Sequence, residues 1–313
     1  MSRRERLQGL SLGLLCGGVS RERQVSLASG EAVLSELRSS GYSPRIIDPA
    51  EPRWWQQVIG LDLVFNVLHG PMGEDGVVQG MLECLGVVCT GSDVLGSALA
   101  MDKQKSKQVW QACGLPTPTY RIVKSIEDAR SLIDEWGGYF LKPVLEGSSI
   151  GVSCVRNEDD LTNAWSRASE CAGPVLAEAI VDGPEYTVAV LGDRTLPAIR
   201  ITAAEEFYDY VAKYETETTR YQVPCGLNER QEIELEELAL AAFRALGCSI
   251  WGRVDVLADA DAKLQLLEVN TIPGMTDHSL VPKAAQAADI PMIDLLEEVL
   301  ELSWIAARSG GAA

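Results

Sequence analysis

The chain has 313 residues, 46% of them hydrophobic, and its 27 basic and 45 acidic residues give a net charge of −18 at pH 7. This charge argues against nucleic acid or an anionic membrane as a partner, and the apolar fraction excludes a disordered chain. The length predicts two or three domains.

The eight cysteines contain no CxxC pair and no zinc spacing, which indicates reduced thiols in a cytoplasmic protein. No stretch reaches the ~20 apolar residues of a membrane span. Negative net charge does not exclude ATP as a ligand, because a few lysines at one site can bind phosphate locally. The composition therefore favours a cytoplasmic protein and is compatible with a nucleotide ligand.

Residues 1–101 are predicted to form one α/β domain. Residues 10–16 predict a buried strand rather than a signal peptide, because the apolar run is short and is broken by Gly13. Gly17-Gly18 leads into a helix, but without the other glycines of GxGxxG this turn does not indicate a dehydrogenase. Strand 61–68 ends in the glycine-rich loop 69–76, at the strand end where α/β sheets place ligands.

Residues 102–183 are predicted to form a central α+β unit. A helix over 102–113 carries Lys103, Lys105 and Lys107, the last two expected to face solvent. The strand 139–144 carries Lys142 and runs into a Gly/Ser-rich loop. A lysine followed by such a loop predicts a nucleotide clamp, although the Walker spacing is absent.

Residues 184–313 are predicted to form a third unit with antiparallel strands at 185–192 and 196–202. The segment 203–224 interleaves aromatic and charged residues without a clear period. A long irregular segment inside an ordered domain is typical of a functional lid, and a frayed surface loop is the alternative.

A hairpin near the end of this unit gathers polar side chains. Side chains two positions apart share a face of a strand, which pairs Arg253 with Asp255 and Glu268 with Asn270. If the two faces meet, their oxygens suit Mg²⁺ or Mn²⁺; the alternative is two edge strands whose charges face water. The turn that follows contains Gly274 and can bring backbone N–H groups to an anion.

Together these motifs resemble the ATP-grasp superfamily and, within it, the D-alanine–D-alanine ligase family. The resemblance covers nearly the whole chain and rests on these segments: GGVSRERQVSLASG, LHGPMGEDGVVQGMLE, TGSDVLGSALAMDK, KPVLEGSSIGV, GPEYTVAVLG, FYDYVAKY, GRVDV and EVNTIPGMTDHSLVP. It implies an N-terminal doubly wound α/β domain followed by the two subdomains of an ATP-grasp fold, with ATP held between their sheets. It also implies a homodimer formed through the N-terminal domain.

The resemblance assigns ligands to the last two parts of the chain. It implies that Asp255, Glu268 and Asn270 hold two Mg²⁺ or Mn²⁺ ions, with Glu268 bridging both. For ATP it implies the following set: Lys103 and Lys142 at the phosphates, Lys213 of the lid at the γ-phosphate, Glu178 at the adenine edge and Glu185 at the ribose.

The resemblance also implies an amino-acid site. Arg253 and the Gly274 N–H would stabilise the oxyanion of a tetrahedral intermediate. The remaining roles are these: Glu22 at the ammonium of a first D-alanine, in a hydrogen-bonded chain with Ser148 and Tyr214; His69 near that amino acid; Ser279 and the Leu280 backbone at the carboxylate of a second. For Ser148 a turn-shaping role, and for His69 a structural role, are the alternatives, and His278 is expected to be structural.

The expected activity is ATP-dependent ligation of two D-alanines for peptidoglycan synthesis. Two departures from the family pattern concern nucleotide binding: Val144-Leu145 stand where Ser-Arg is frequent, and Ala179 stands where many relatives have lysine. The alternatives are the same fold making D-Ala–D-Ser or D-Ala–D-Lac, and a non-catalytic nucleotide-binding regulator. Tyr214 argues against the lactate type, which lacks a lid tyrosine.

Overall fold

The computed structural model describes residues 3–202 and 219–309. Its first unit is a parallel sheet in the order β2-β1-β3-β4. The strands are β1 (Leu12–Leu15), β2 (Arg45–Ile47), β3 (Leu63–Asn66) and β4 (Val88–Cys89), and the helices are α1 (Arg3–Gln8), α2 (Arg23–Ser39), a 3₁₀ helix (Trp54–Gln57), α3 (Val77–Cys84) and α4 (Val94–Met101). Every residue of β1 and β3 is buried, as expected of a parallel sheet covered on both faces.

The central unit is an antiparallel sheet in the order β5-β8-β6-β7 with helices beside it. Its elements are α5 (Lys103–Ala112), β5 (Tyr120–Val123), α6 (Ile126–Trp136), β6 (Tyr139–Pro143), β7 (Ser153–Val155), α7 (Glu158–Ser169) and β8 (Val175–Ala179). Helix α7 begins at a capping box in which the Asn157 side chain accepts from backbone N–H groups of the first turn. Ser125 caps α6 by accepting from the Asp128 N–H.

The third unit is a second antiparallel sheet, in the order β12-β11-β9-β13-β14 with β10 paired to β9. Its elements are β9 (Glu185–Leu191), β10 (Arg194–Thr195), β11 (Ile199–Thr202), β12 (Arg220–Gln222), α8 (Glu229–Ala245), β13 (Trp251–Ala258), β14 (Leu264–Asn270), α9 (Leu280–Ala287) and α10 (Met292–Ser309). Among the helices of the described ranges, none combines the length and apolarity that a bilayer crossing needs.

Helix α10 packs against the first unit rather than standing apart from it. A single buried cluster contains Phe65 of β3, Trp251 of β13 and Leu296 of α10, and the Phe65 and Trp251 ring centroids lie 6.0 Å apart. Polar contacts tie the same helix to α1: the Arg4 Nε lies 2.9 Å from a Glu297 carboxylate oxygen that also accepts from the Tyr42 hydroxyl at 2.9 Å. The chain therefore closes on itself around the N-terminal sheet.

Most predicted elements are confirmed, including the strand that the sequence favoured over a signal peptide at residues 10–16. Several short elements had no predictive signal in the sequence, among them α1, the 3₁₀ helix, α3, α4, β4, β10 and β12. The predicted lid over 203–224 lies outside the described residues up to position 218, and β12 occupies part of the rest. The division at residues 101 and 183 stays a prediction.

Candidate active site

An open cleft lies where the three units meet. It brings together ten of the residues predicted to bind or react. Those from the first two units are Glu22, His69, Lys103 and Ser148. Those from the third unit are Arg253, Glu268, Asn270, Gly274, Ser279 and Leu280.

The β13–β14 hairpin has the register that the sequence required. Arg253 lies opposite Asn270, and Asp255 lies opposite Glu268, so that the four side chains share one face of the pair. The Arg253 guanidinium donates to both oxygens of Asp255, at 2.9 and 2.8 Å, and Thr187 donates to one of them at 2.6 Å. The buried Asp255 carboxylate is thus charge-compensated and held in orientation.

Glu268 forms an ion pair with a lysine of the central unit. The Lys103 Nζ lies 3.1 Å from a Glu268 oxygen and donates to the Glu146 carbonyl at 2.7 Å. The Asn270 side-chain oxygen accepts from the Ile272 N–H at 3.0 Å. Within the described ranges there is no cluster of three or more His, Cys, Asp or Glu suited to a metal. The donor set here is two carboxylates and an amide oxygen, which are hard ligands and fit Mg²⁺ or Mn²⁺ together with substrate oxygens.

Glu22 and Ser148 meet across the cleft, since the Ser148 hydroxyl donates to the Glu22 carboxylate. Ser148 does so from a left-handed backbone conformation, with φ of 49°, which non-glycine residues adopt at a cost and which is found at ligand sites. Gly70 approaches from the other side, where a Cβ would lie 2.7 Å from a Glu22 oxygen. The Glu22 carboxylate is therefore 4% exposed and closely confined.

The loop after β3 contributes two buried titratable groups. Burial, reinforced by the positive charge of Arg253, lowers the pKa of His69 to about 4, so its imidazole is neutral at pH 7. Burial together with the negative charge of Glu22 raises the pKa of Glu74 well above its usual value. The Gly70 N–H donates to Glu74 at 2.6 Å. Sequence analysis did not single out Glu74; its only signal was its place in the glycine-rich loop.

The turn from Gly274 to Ser279 forms the floor of the cleft. The Ser279 hydroxyl accepts from the Thr276 N–H at 3.0 Å and lies 2.9 Å from the Thr276 hydroxyl. A Cβ on Gly274 would lie 2.8 Å from the Ser279 Oγ, so the close approach requires glycine. Ser279 precedes the first residue of α9, Leu280. Unpaired N–H groups at this helix N-terminus favour a negatively charged ligand.

Lys142 and Glu178 form a separate buried cluster. Lys142 pairs with one Glu178 oxygen, and the Lys107 Nζ lies 2.5 Å from the other. Burial raises the pKa of Glu178, but the two lysines outweigh it and hold that pKa below its usual value. The prediction that Lys107 faces solvent is wrong, since this residue is 1% exposed; Lys105 is exposed as predicted. Helical spacing could have indicated this burial, because Lys107 lies three positions before the buried Trp110 and so on the same face of the helix.

The remaining predicted positions are less informative. Glu185 begins β9 and is half-buried. Lys213 and Tyr214 lie outside the described residues. His278 has an exposed side chain at the mouth of the cleft, where its Nε2 lies 3.6 Å from an oxygen of the equally exposed Asp277. Of the positions that depart from the family pattern, Val144 is fully buried and Ala179 ends β8.

Comparison with known proteins gives matches over most of the chain. The family model described as "D-ala D-ala ligase C-terminus" matches residues 109–301, and "D-ala D-ala ligase N-terminus" matches residues 48–92. A D-alanine–D-alanine ligase from Halorhodospira halophila is 48% identical over 92% of this chain and 94% of its own. The structure of the Bacillus anthracis D-alanine–D-alanine ligase complexed with ATP has a TM-score of 0.84 and 34% identity, over 96% of this chain and 99% of that one. A D-Ala:D-Ser ligase from Enterococcus faecalis has a TM-score of 0.82 and 29% identity, over 94% and 99%.

Proposed function

This chain belongs to the D-alanine–D-alanine ligase family, and we propose that it joins two D-alanine molecules with cleavage of ATP to ADP and phosphate, for peptidoglycan precursor synthesis. Its fold is the ATP-grasp fold that the sequence predicted, with an N-terminal α/β domain. The observation that carries the proposal is the single cleft that joins the Glu22–Ser148 pair, the charged end of the β13–β14 hairpin and the Gly274–Ser279 turn.

The reaction must activate a carboxylate, which is a poor acyl donor. Transfer of the γ-phosphoryl group of ATP to a carboxylate oxygen of the first D-alanine releases ADP and forms D-alanyl phosphate. The amine nitrogen of the second D-alanine then attacks the carbonyl carbon. A C–N bond forms, the C–O bond to phosphate breaks, and the attacking amine loses a proton. Positioning and electrostatic stabilisation supply most of the catalysis of such a transfer.

Glu22 binds the ammonium of the first D-alanine in this proposal. Its carboxylate is buried and already accepts from Ser148, so an ammonium placed beside it gains a strong, charge-assisted hydrogen bond. Tyr214 would extend this chain of hydrogen bonds from the lid. His69, neutral because burial and Arg253 lower its pKa to about 4, adds no competing positive charge near that ammonium.

Arg253 and the Gly274 N–H stabilise the negative oxygen that develops when the amine attacks. Arg253 is fixed by two hydrogen bonds to Asp255, and donors that are oriented in advance stabilise a transition state without reorganisation. Ser279 and the Leu280 N–H hold the carboxylate of the second D-alanine, at the N-terminus of α9.

ATP binds beside this cleft between the sheets of the second and third units. Lys103 and Lys142 contact its phosphates, and Lys213 of the lid reaches the γ-phosphate. Glu178 meets the adenine edge and Glu185 the ribose. Asp255, Glu268 and Asn270 would hold two Mg²⁺ or Mn²⁺ ions, with Glu268 serving both, and such ions would neutralise phosphate charge.

D-alanine is the second substrate in preference to D-serine or D-lactate. The curated relatives at 46–48% identity carry the D-alanine–D-alanine name, whereas the D-Ala:D-Ser ligase is 29% identical. A non-catalytic regulator would have no chemical need for Arg253, Asp255 and Glu268 together. We also place the enzyme in the cytoplasm as a homodimer, on the family resemblance.

Release of ADP and phosphate with Mg·ATP and D-alanine tests the proposal, with the dipeptide identified by mass. L-Alanine alone serves as a control, and D-serine and D-lactate are tested as second substrates beside D-alanine. Dipeptide formation with D-alanine alone, abolished by a chelator, is the expected result. Product only when D-serine or D-lactate is present would reassign the second substrate, and ATP binding without turnover on any of them would indicate a regulator.

A further inference from the structure

We infer that Lys107 is a positioning residue that keeps Glu178 oriented toward the adenine edge of ATP while Lys142 turns to the phosphates. This inference rests on the proposed function, in which Glu178 and Lys142 bind opposite ends of the nucleotide. It begins from a conflict in the structure: Lys142 is paired with Glu178, yet the proposal requires it at a phosphate. If Lys142 leaves, the 2%-exposed Glu178 carboxylate needs another cation, because an unpaired buried charge is strongly destabilising.

Lys107 meets that need from the opposite side. Its Nζ lies 2.5 Å from the Glu178 oxygen that does not contact Lys142, and its side chain is 1% exposed. Lys107 therefore cannot reach bulk solvent or the phosphates without leaving the core. Of the two lysines on Glu178, one is fixed and the other, on a strand that ends at the Gly/Ser loop, is the one available to the nucleotide.

Further contacts hold Lys107 in place. Its Nζ donates to the Thr117 hydroxyl at 2.8 Å, and that hydroxyl donates to the Leu266 carbonyl of β14 at 2.8 Å. The ammonium also lies 5.7 Å from the centre of the Tyr120 ring. This chain connects Glu178 of the second sheet to a strand of the third. These contacts thereby hold the Glu178 carboxylate in position relative to both sheets between which ATP binds.

The chemical consequence is base selectivity. An ionised carboxylate accepts from the exocyclic amine of adenine but has no proton to donate to a carbonyl. Inosine carries a carbonyl in place of that amine, so an ionised Glu178 favours ATP over ITP. Without Lys107, the move of Lys142 to the phosphates leaves the buried Glu178 without a cation, so that Glu178 becomes protonated and able to donate to inosine. This change weakens ATP binding and reduces the selectivity for ATP over ITP.

The test is direct titration of ATP and ITP, with Mg²⁺ and without D-alanine, into the full chain and three variants. Lys107→Met keeps the length of the side chain and removes its charge, and Glu178→Gln removes the carboxylate itself. Lys105→Met is the matched control, since Lys105 is exposed on the same helix. Titration without D-alanine keeps this test separate from ligase activity, so a failed turnover assay leaves it intact.

We expect Lys107→Met to lower the ratio of ATP to ITP affinity about tenfold, as Glu178→Gln does, while Lys105→Met leaves it unchanged. If Glu178→Gln loses selectivity for ATP over ITP but a folded Lys107→Met does not, the inference is overturned. An unchanged ratio in both variants also overturns it, since Glu178 then does not read the base. If Lys107→Met does not fold, Thr117→Val removes one partner of Lys107, and an unchanged ratio there overturns the inference as well.

Discussion

Replacing Gly274 with alanine tests the floor of the cleft with a single methyl group. The added Cβ would lie 2.8 Å from the Ser279 Oγ, whereas its next contact, the Ser279 Cβ, would be at an ordinary 3.6 Å. The Ser279 hydroxyl must therefore retreat. Doing so stretches its contacts with the Thr276 N–H and hydroxyl, now 3.0 and 2.9 Å.

Each of these neutral hydrogen bonds contributes about 1 kcal/mol. Loss of both corresponds to about 2 kcal/mol, or a roughly 30-fold fall in kcat/KM for the second D-alanine. The assay is phosphate release against D-alanine concentration. We expect the defect to lie in the second amino-acid site, with ATP binding unchanged. Gly9→Ala is the control, since the nearest atom to its added Cβ is 3.6 Å away.

A double variant makes the reasoning sharper. Ser279→Ala removes the atom with which the new methyl group collides, so Gly274→Ala should cost nothing further in that background. If Gly274→Ala instead lowers kcat/KM by the same factor with and without Ser279→Ala, it acts through another contact. An unchanged kcat/KM in the single Gly274→Ala variant would refute the placement of Ser279 at the second carboxylate.

Two further predictions concern charge. Glu268→Gln should lower turnover by at least about 100-fold while weakening ATP binding much less, because the carboxylate faces the transferred charge; equal ligase activity by phosphate release would contradict the bridging role. Since burial lowers the pKa of His69 to about 4, unfolding exposes a group that binds a proton more readily, and stability present above pH 6.5 is lost as pH falls toward 4. Between pH 7 and pH 4, the free energy of unfolding measured in urea should therefore fall by about 3 kcal/mol more in the native protein than in His69→Gln. Equal falls in the two proteins would contradict this prediction.

The sequence predicted those parts of the site that depend on local periodicity. Alternation along β13 and β14 fixed which side chains share a face, and the observed pairing of Arg253 with Asn270 follows from it. The glycine-rich loops were predicted from the order of strand, lysine and glycine. Their residues lie at the cleft because strand ends meet there.

What the sequence did not predict depends on contacts between distant segments. Lys107 was expected at the surface because lysine usually is, and only the partner carboxylate on β8, far along the chain, makes its burial tolerable. Glu74 gave no periodic signal, since its burial depends on how the loop after β3 folds over Glu22. The approach of Ser279 to Gly274 likewise depends on the turn before α9.

The packing of α10 on the N-terminal sheet has a consequence for synthesis on the ribosome. Phe65 is translated long before Leu296, its companion in the same buried cluster. At roughly 5–20 residues per second, the interval is on the order of tens of seconds. During that time the nascent sheet exposes an apolar face that only later segments cover, and such surfaces recruit chaperones or aggregate. Native folding is therefore completed late, when α10 leaves the ribosome and covers the apolar face of the N-terminal sheet.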